Sequence, residues 1–327
     1  MPTRRFDLLV VGEINPDIIV SDADPSPRFG QAERRVEAIV MAPGSSTVLT
    51  ALAAARLGLR TAFCGLVGDD PFGRYMLAAM EDGGIDANSC RVVPGAATGA
   101  SVILDRGGDR AILTSLGAMA SLRADDVPMD LVRQSRHLHV GSWYLQPALQ
   151  PGLPALFAEA RAGGTTTSLD PNWDPAERWV GIGDALAQTD VFLPNVTEAC
   201  RIAGLTDIDA AVAAIATAGP DDMLVAVKLG AAGAMAVEGG QVERASPPKV
   251  ATVDTIGAGD SFDAGLLYGR LAGWQLARTL ALAVACGALS TRTRGGVDGQ
   301  PTLPEALAVS ETLPRSADRS AVPRPTT

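Results

Sequence analysis

The sequence contains the stretch Val253-Asp254-Thr255-Ile256-Gly257-Ala258-Gly259-Asp260-Ser261-Phe262, in which three small residues lead into an aspartate. An amphipathic helix pattern follows at once, with apolar side chains at Phe262, Leu266, Leu267 and Leu271. Small residues leave backbone N–H groups uncovered at the start of a helix, where these groups and the helix dipole bind a phosphate. An acid in that first turn, Asp260, can accept a proton from a nearby hydroxyl. The stretch therefore has the two parts that phosphoryl transfer to an alcohol requires.

A lone Gly-x-Gly-Asp also has a simpler explanation, in which the aspartate stabilises the helix dipole after a flexible turn. The longer string closely resembles the C-terminal signature D-T-x-G-A-G-D-x-F of the ribokinase-like (PfkB) carbohydrate kinases. The resemblance implies that Asp260 is the catalytic base and that the amides of Gly257, Ala258 and Gly259 form an anion hole. It also implies an ATP-dependent phosphotransferase with Mg²⁺ and a sugar-like alcohol as the phosphate acceptor.

Composition and charge limit the classes of protein that need to be considered. A chain of 327 residues can bury a large core. No apolar run approaches the roughly 18–20 residues of a membrane span, and the N-terminal segment lacks the apolar region of a signal peptide, so we expect a cytoplasmic protein without a membrane partner. The net charge of −10 argues against a nucleic-acid surface.

The cysteine and histidine patterns do not predict a metal site. The four cysteines, at positions 64, 90, 200 and 286, are widely spaced and form no Cys-x-x-Cys, so we interpret them as reduced core or helix residues. His137 and His139 alternate along a predicted strand without a third ligand in view, which favours a structural role.

The N-terminal segment suggests where the acceptor binds. A buried strand from Phe6 to Gly12 runs into Glu13-Ile14-Asn15-Pro16-Asp17, and ligands of open α/β sheets bind beyond such strand ends. Asp17 could accept hydrogen bonds from two adjacent hydroxyls of a polyol, although an Asn/Asp-Pro turn explains the same residues. The segment resembles the family's G-x-x-N-x-D sugar-binding motif, which implies Asn15 and Asp17 as substrate ligands.

A second N-terminal motif matches the family less well. Gly44-Ser45-Ser46 opens a predicted helix that ends near Leu57, because serine is a good N-cap. Its place matches the family's Gly-Gly motif, whose backbone contacts substrate, so Gly44 and Ser45 are candidate substrate ligands. Leu49 or Val48 stands where the family has an asparagine that helps to hold the sugar. This departure from the family predicts an unusual substrate or a different way of holding it.

Two further segments resemble parts of the family's nucleotide site. Asn195-x-x-Glu198 is a capping-box-like helix start. It also matches the family's N-x-x-E motif, which helps to place Mg²⁺ and the nucleotide phosphates. The resemblance implies that Glu198 holds Mg²⁺ through water. Both interpretations can hold at once. Asp170-Pro171-Asn172 is similar to the family's D-x-N segment, which shapes the loop near the phosphates. Val284 replaces an asparagine that many members carry near the adenine.

The strand that ends at Lys228 is followed by Gly230 and Gly233, which allow the backbone to approach a ligand closely. The family's counterpart lies under the nucleotide, so these three residues are candidate nucleotide ligands; the alternative for Lys228 is a solvated strand end. The resemblance also implies a monovalent-cation site, for K⁺, at Asp254 and Ile256, completed by the Gly295-Gly296 loop.

Repeated strand–helix alternation predicts an α/β fold. The resemblance makes this a ribokinase-like three-layer α/β/α fold with a mainly parallel central sheet and a small β lid. We expect a single kinase domain over residues 1–312 and a disordered tail over 313–327, which is rich in Pro, Ser and Arg. The lid strands should lie within about 18–41 and 99–114, with a hairpin turn at Gly107-Gly108-Asp109. In the family the lid often pairs with a second subunit, which implies a homodimer.

Three functions stay open at this stage. The first is a kinase of a sugar, sugar acid or sugar phosphate; the second is a nucleoside kinase of the same family. The third is a ligand-binding regulator that has lost activity, which Leu49 and Val284 favour. The intact Asp254–Asp260 string and Asn195-x-x-Glu198 favour a kinase, because a protein that only binds has no need of a base. A P-loop and a dinucleotide fingerprint are missing from the sequence.

Overall fold

The computed structural model describes residues 4–107 and 109–313. Gly108 of the predicted lid turn and residues 314–327 of the predicted tail therefore lie outside the described residues. None of the described helices combines the length and the apolar character that crossing a membrane requires.

Strands and helices alternate along most of the chain. The strands are β1 (Phe6–Val11), β2 (Pro16–Ser21), β3 (Ala38–Pro43), β4 (Thr61–Cys64), β5 (Leu66–Gly68), β6 (Arg91–Val93), β7 (Ala100–Asp105), β8 (Arg110–Ser115), β9 (Ser135–Val140), β10 (Thr166–Leu169), β11 (Val191–Phe192), β12 (Leu224–Lys228), β13 (Ala234–Glu238) and β14 (Gln241–Ala245). The α-helices are α1 (Ser46–Arg56), α2 (Pro71–Asp82), α3 (Met129–Arg133), α4 (Leu153–Ala162), α5 (Gly183–Leu186), α6 (Val196–Ala203), α7 (Ile208–Ala216), α8 (Ala258–Leu271), α9 (Leu276–Ser290) and α10 (Leu303–Ser310).

The central sheet has eight strands in the order β14-β13-β12-β11-β10-β9-β1-β4. Neighbouring strands from β12 to β4 are all parallel, whereas β13 is antiparallel to both of its neighbours. The chain leaves β1 for β4 on one side and returns as β9 on the other, which opens a crevice beyond the carboxyl ends of β1 and β9. The predicted mainly parallel α/β fold is confirmed.

The sequence of β1 shows how the layers are built. Its run Phe-Asp-Leu-Leu-Val-Val is apolar on both faces, as expected for a strand buried on both sides. Leu9 and Val11 pack in a cluster with residues of α3 to α7. Leu8 and Val10 pack in a second cluster with residues of α1, α2, α8, α9 and α10. Helices therefore cover both faces of the sheet.

A separate four-stranded sheet, which we call the small sheet, has the order β3-β2-β7-β8. Strands β2 and β7 are parallel, and the two outer pairs are antiparallel. Successive side chains of a strand point to opposite sides, so the small sheet has two different faces. Its inner face carries Ile19, Ala42 and Ile103, which pack against Leu49 of α1 and Ile256. The inner face therefore rests on the main body beside the start of α1.

Helix α8 is held against α9 by close backbone contact. A Cβ atom at Gly265 would lie 2.9 Å from both Ala283 Cα and Cys286 Sγ, and one at Gly269 would lie 2.7 Å from Thr279 Oγ1. These two glycines are four residues apart, so they lie on the same face of α8. The close packing fixes the axis of α8 and, with it, the position of Asp260 in its first turn.

We predict that Gly265→Ala lowers the free energy of unfolding by about 1–3 kcal/mol, because the added methyl group must push α9 away. Chemical denaturation would measure the change. The matched control is Gly183→Ala in α5, where a Cβ atom would meet nothing within 4 Å. The free energy of unfolding of this variant should rise by up to about 1 kcal/mol, because alanine has a higher helix propensity than glycine. Equal effects of the two substitutions would contradict the close α8–α9 contact.

Candidate active site

The candidate active site lies at one edge of the molecule. The carboxyl ends of the parallel strands meet the crevice there, together with the first turns of α1 and α8. Asp260 lies in the first turn of α8, and only 8% of its surface is exposed. The Ser46 hydroxyl, at the start of α1, donates a hydrogen bond to Asp260 Oδ1. Burial raises the pKa of Asp260 to about 7, against the opposing effect of the Ser46 hydrogen bond. This carboxylate can therefore exchange a proton near neutral pH.

The predicted anion hole lies immediately before Asp260. Gly257 is the N-cap of α8 with φ 73°, a left-handed conformation that glycine adopts without strain. Within the described residues, the amides of Gly257 and Gly259 have no hydrogen-bond acceptor, whereas the Ala258 amide donates to the Thr255 carbonyl at 3.3 Å. Two of the three predicted amides are thus free N–H groups at a helix start, which is where anions bind.

Asp17 and Asn15 lie together at the start of β2. Asn15 Nδ2 donates to Ser101 Oγ at 3.2 Å and to Asp17 Oδ1 at 3.4 Å. A Cβ atom at Gly44 would overlap the Asp17 carboxylate, so only glycine fits there. Burial raises the pKa of Asp17 to about 7, although the charge of Arg110 opposes the shift. Three of the predicted substrate ligands, Asn15, Asp17 and Gly44, therefore form one group.

The fourth predicted substrate ligand, Ser45, uses its side chain within the protein. Its hydroxyl donates to the Glu13 carbonyl at 2.6 Å and accepts from the Val48 amide at 3.2 Å, so it caps α1. Only the backbone of Ser45 remains available to a ligand. Leu49, one of the two positions that match the family's asparagine, is 3% exposed and packs against the inner face of the small sheet. An apolar contact thus takes the place of a polar side chain at this position.

Lys228, at the end of β12, has two carboxylate partners. Its ammonium lies 2.8 Å from Asp170 Oδ2 and 3.2 Å from both oxygens of Asp263. The alternative of a solvated strand end is wrong, because only 15% of the Lys228 side chain is exposed. The two carboxylates raise the pKa of Lys228, so it stays charged despite its burial. Burial raises the pKa of Asp263, whereas Lys228 lowers that of Asp170.

Asn195 and Glu198 form the capping box that their spacing predicts. The Asn195 side chain accepts from the Glu198 amide at 2.9 Å, and Glu198 accepts from the Asn195 amide at 2.8 Å and from Asn195 Nδ2 at 2.6 Å. Each carboxylate oxygen of Glu198 thus accepts one hydrogen bond, and burial raises its pKa to about 7. The Mg²⁺ contact through water stays a prediction, because each oxygen keeps a further lone pair. Within the described residues, no group of three or more His, Cys, Asp or Glu side chains fits a metal ion.

The remaining predicted positions lie in loops around this edge. Gly230 and Gly233 follow Lys228 with φ 59° and 91°, and a Cβ atom at Gly233 would overlap the Ala245 carbonyl. Both glycines therefore have a backbone reason to be glycine whether or not a ligand binds. Asp254 accepts from the Ile256 amide at 2.9 Å and from the Gly295 amide at 3.0 Å. The two loops predicted to share a cation are thus in contact.

A network centred on Glu13, which no sequence motif predicted, lies beyond the carboxyl ends of β1 and β9. Glu13 Oε1 accepts from Ser142 Oγ at 2.6 Å, and Ser142 Oγ accepts from Asn172 Nδ2 at 2.9 Å. Ser45, Ser142 and Asn172 all have positive φ, which is uncommon outside glycine and occurs at functional sites. Glu13 is 1% exposed, and burial raises its pKa. The network ties the ends of β1, β9 and β10 together.

A buried chain of hydroxyl and imidazole groups leads along the sheet under α8. Thr166 Oγ1 lies 2.7 Å from His137 Nδ1, and Ser168 Oγ lies 2.7 Å from His137 Nε2 and 2.8 Å from His139 Nδ1. Burial lowers the pKa of His137 to about 3 and that of His139 to about 4, so both are neutral at physiological pH. The histidines therefore have hydrogen-bonded positions inside the protein.

A cavity of about 280 Å³ opens between the inner face of the small sheet and the 294–298 loop. Its wall includes Ile19 and Ser21 of β2, Tyr75 of α2 and Asp254, but not Asp260. The cavity therefore adjoins the Asp17 group along β2 rather than the proposed base itself.

We predict that Lys228→Met destabilises the protein by about 3–5 kcal/mol at about pH 8, because it leaves Asp170 and Asp263 buried without a counter-charge. The pKa of each carboxyl in the folded variant then lies above its unfolded value. Protonation favours the folded variant, so the deficit should shrink towards about pH 5. Chemical denaturation at both pH values would test this. Adding Asp263→Asn should restore part of the lost stability. A loss in the free energy of unfolding that changes neither with pH nor on adding Asp263→Asn would contradict the proposed ion pairs.

Comparison with known proteins identifies the family. Residues 5–303 match the pfkB family of carbohydrate kinases. A fructokinase of Klebsiella pneumoniae is 34% identical over 278 residues, which cover 80% of this chain and 90% of the relative. An ATP-dependent ribose-1-phosphate kinase of Halopiger xanaduensis is 30% identical over 315 residues, which cover 95% of this chain and 99% of the relative.

A solved structure shares the fold. An E. coli protein described as a ribokinase II, in complex with ATP and Mg²⁺, has a TM-score of 0.82 at 23% identity over 94% of this chain and 99% of that chain. The family match spans nearly all of the described residues, and it agrees with the Asp254–Asp260 signature at the start of α8. The chain belongs to the pfkB family of carbohydrate kinases, which are phosphotransferases with an alcohol group as acceptor.

Proposed function

We propose that this protein transfers the γ-phosphoryl group of ATP to a hydroxyl of a sugar or sugar-like small molecule, with Asp260 as the base. One observation carries the proposal: in the part of the chain that the structure describes, a buried carboxylate without a cationic hydrogen-bond partner lies one residue after an amide without an acceptor, at a helix start. Relatives with 30–34% identity are named as a fructokinase and an ATP-dependent ribose-1-phosphate kinase, which supports a sugar as the acceptor.

The acceptor would be held by Asp17 and Asn15 under the small sheet. Carboxylate and amide oxygens suit the hydroxyl groups of a polyol, and Ser101 and Thr114 add two hydroxyls to the same row, 3.0 Å apart. Ile19 and Ile103 of the inner face give the apolar contact that the faces of a sugar ring require. The small sheet would thus serve as the lid over the acceptor.

In the proposed reaction, Asp260 accepts the proton of the attacking hydroxyl as the bond to phosphorus forms. Negative charge on the transferring group is stabilised by the Gly257 and Gly259 amides and by the dipole of α8. In the absence of an acceptor the Ser46 hydroxyl donates to Asp260 Oδ1, and the acceptor hydroxyl would take its place on this carboxylate. A pKa of about 7 suits this role, because about half of the Asp260 carboxyl groups are ionised at neutral pH and the carboxylate readily takes up a proton in the reaction.

The nucleotide would lie over the ends of β11 and β12, near Asn195, Glu198 and the Gly230–Gly233 loop. Mg²⁺ usually keeps several waters and binds phosphate oxygens, which fits Glu198, whose oxygens both accept hydrogen bonds from Asn195. The metal ion would neutralise charge on the phosphates. Lys228 would contribute indirectly: its ion pairs hold Asp170 and Asp263 in place, and it would not contact the nucleotide. Carbonyl groups of Ile256 and the Gly295-Gly296 loop would take K⁺.

We predict that Asp260→Asn reduces kcat at least about a hundredfold, as expected when a general base is lost, with little change in thermal stability. ADP release from ATP·Mg²⁺ would be measured with and without K⁺ across sugars, sugar acids, sugar phosphates and nucleosides. The control is Asp82→Asn, an exposed aspartate at the end of α2.

The proposal is supported if the wild type and Asp82→Asn phosphorylate one class of acceptor and Asp260→Asn does not. Turnover confined to nucleosides would identify a nucleoside kinase of the same family. Bound ATP without turnover on any acceptor would favour an inactive regulator, and near-normal activity of Asp260→Asn would exclude the base assignment.

We also propose that the outer face of the small sheet pairs with a second copy of the chain. Two rows of cross-strand neighbours on this face are entirely apolar: Met41, Ile18, Val102 and Leu113 in one, and Ile39, Val20, Leu104 and Ala111 in the other. Ile39 is 66% exposed and Leu113 is 63% exposed. A face without charge matches the same uncharged face of a second copy in a two-fold dimer.

We predict that Leu113→Lys converts a dimer into a monomer, because it buries an unpaired charge in the apolar interface. Light scattering after size exclusion would measure the change, with an increase in the dissociation constant of more than about tenfold expected. Val180→Lys, at an exposed valine far along the chain from the small sheet, is the control. A wild-type monomer, or a variant that stays dimeric, would contradict the proposal.

A further inference from the structure

Three consecutive hydroxyl residues stand at the start of α1, and only one of them faces the proposed base. Ser45 Oγ and Thr47 Oγ1 donate to the Glu13 carbonyl at 2.6 Å and 2.7 Å, and both residues are buried. Ser46, between them, is partly exposed, and its hydroxyl donates to Asp260 Oδ1. Without an acceptor, Ser46 thus makes the hydrogen bond to Asp260 that an acceptor hydroxyl must make.

From this contact we infer a second activity, which rests on the proposed function: with ATP bound and no acceptor present, the enzyme phosphorylates its own Ser46. The Ser46 oxygen attacks the γ-phosphorus, and a bond forms between them. The bond from that phosphorus to the β,γ-bridging oxygen breaks, ADP leaves, and the Ser46 proton passes to the Asp260 carboxylate. Atoms and charge balance as they do for a sugar hydroxyl, so ATP is the only co-reactant needed.

The surroundings of Ser46 suit both the reaction and its product. Ser46 is the first residue of an 11-residue helix, and within the described residues its amide has no hydrogen-bond acceptor. A phosphate on Ser46 would therefore lie beside the free N–H of Ser46 itself and at the positive end of the α1 dipole. The free Gly257 and Gly259 amides lie within three residues of Asp260, at the start of the same helix.

The modification should be controlled by the acceptor. A bound sugar hydroxyl competes with Ser46 for the single Asp260 carboxylate, so acceptor should protect Ser46. Phospho-Ser46 carries nearly two negative charges and would occupy the space beside Asp260. The modified enzyme should therefore lose transfer to sugar. Self-phosphorylation would thus lower activity when ATP is abundant and the acceptor is absent.

The test is intact-mass measurement of the full chain after incubation with ATP·Mg²⁺ without acceptor, followed by peptide mapping. We expect one added phosphoryl group on the peptide that contains Ser46, and a matching loss of sugar-kinase activity. Ser46→Ala and Asp260→Asn should stay unmodified, whereas Ser26→Ala, at an exposed loop serine, should be modified like the wild type. A saturating acceptor should reduce the modification at least about tenfold, through simple competition for one site.

The outcomes separate this inference from the proposed function. A preparation that phosphorylates a sugar but stays unmodified without it would overturn the inference and leave the kinase assignment intact. Modification at another residue, or modification that persists in Asp260→Asn, would also overturn it. If neither sugar nor Ser46 is phosphorylated, the proposed function itself fails. Mapping of the wild-type peptide gives the answer even if a Ser46 variant does not fold.

Discussion

The structure of the site depends on one buried ion-pair group, in which the Lys228 ammonium lies between the carboxylates of Asp170 and Asp263. Buried carboxylates without a counter-charge are costly, and Lys228, at the end of β12, lowers that cost for Asp170 at the end of β10 and Asp263 on α8. The same contact attaches α8 to the sheet. Asp260, three residues before Asp263, points instead to Ser46 and, among the described residues, has no cationic hydrogen-bond partner. Burial is the main cause of its raised pKa.

Helix α8 connects stability and chemistry. Gly265 and Gly269 let it lie close against α9, Phe262 and Leu266 pack in the cluster over β11 to β13, and Ala264 and Leu267 pack in the cluster over β1 and β4. Its first turn therefore has little freedom, although it carries free amides and a buried acid. Pre-organised groups of this kind stabilise developing charge without rearranging during the reaction.

The parts that could be predicted from sequence are those whose contacts are local. The strand–helix alternation gave the fold class, and Asn195 and Glu198, three residues apart, form their capping box. The missed parts join distant segments: Ser46 with Asp260 across 214 positions, Glu13 with Ser142 across 129, and Lys228 with Asp263 across 35. No spacing rule links such pairs. Leu49 could be recognised as a departure from the family, but its contact with the inner face of the small sheet required the fold.

The most direct test of the account is the pH dependence of kcat/KM for phosphoryl transfer, because this quantity reports the ionisation of the free enzyme. The measurement is best made on Asp17→Asn as well as on the wild type, since Asp17 also has a pKa of about 7. We predict that kcat/KM of Asp17→Asn falls about tenfold per pH unit below a pKa of about 7, and that the wild type falls at least as steeply because Asp17 also titrates there. A rate in Asp17→Asn that stays constant down to about pH 5 would contradict Asp260 as the buried base.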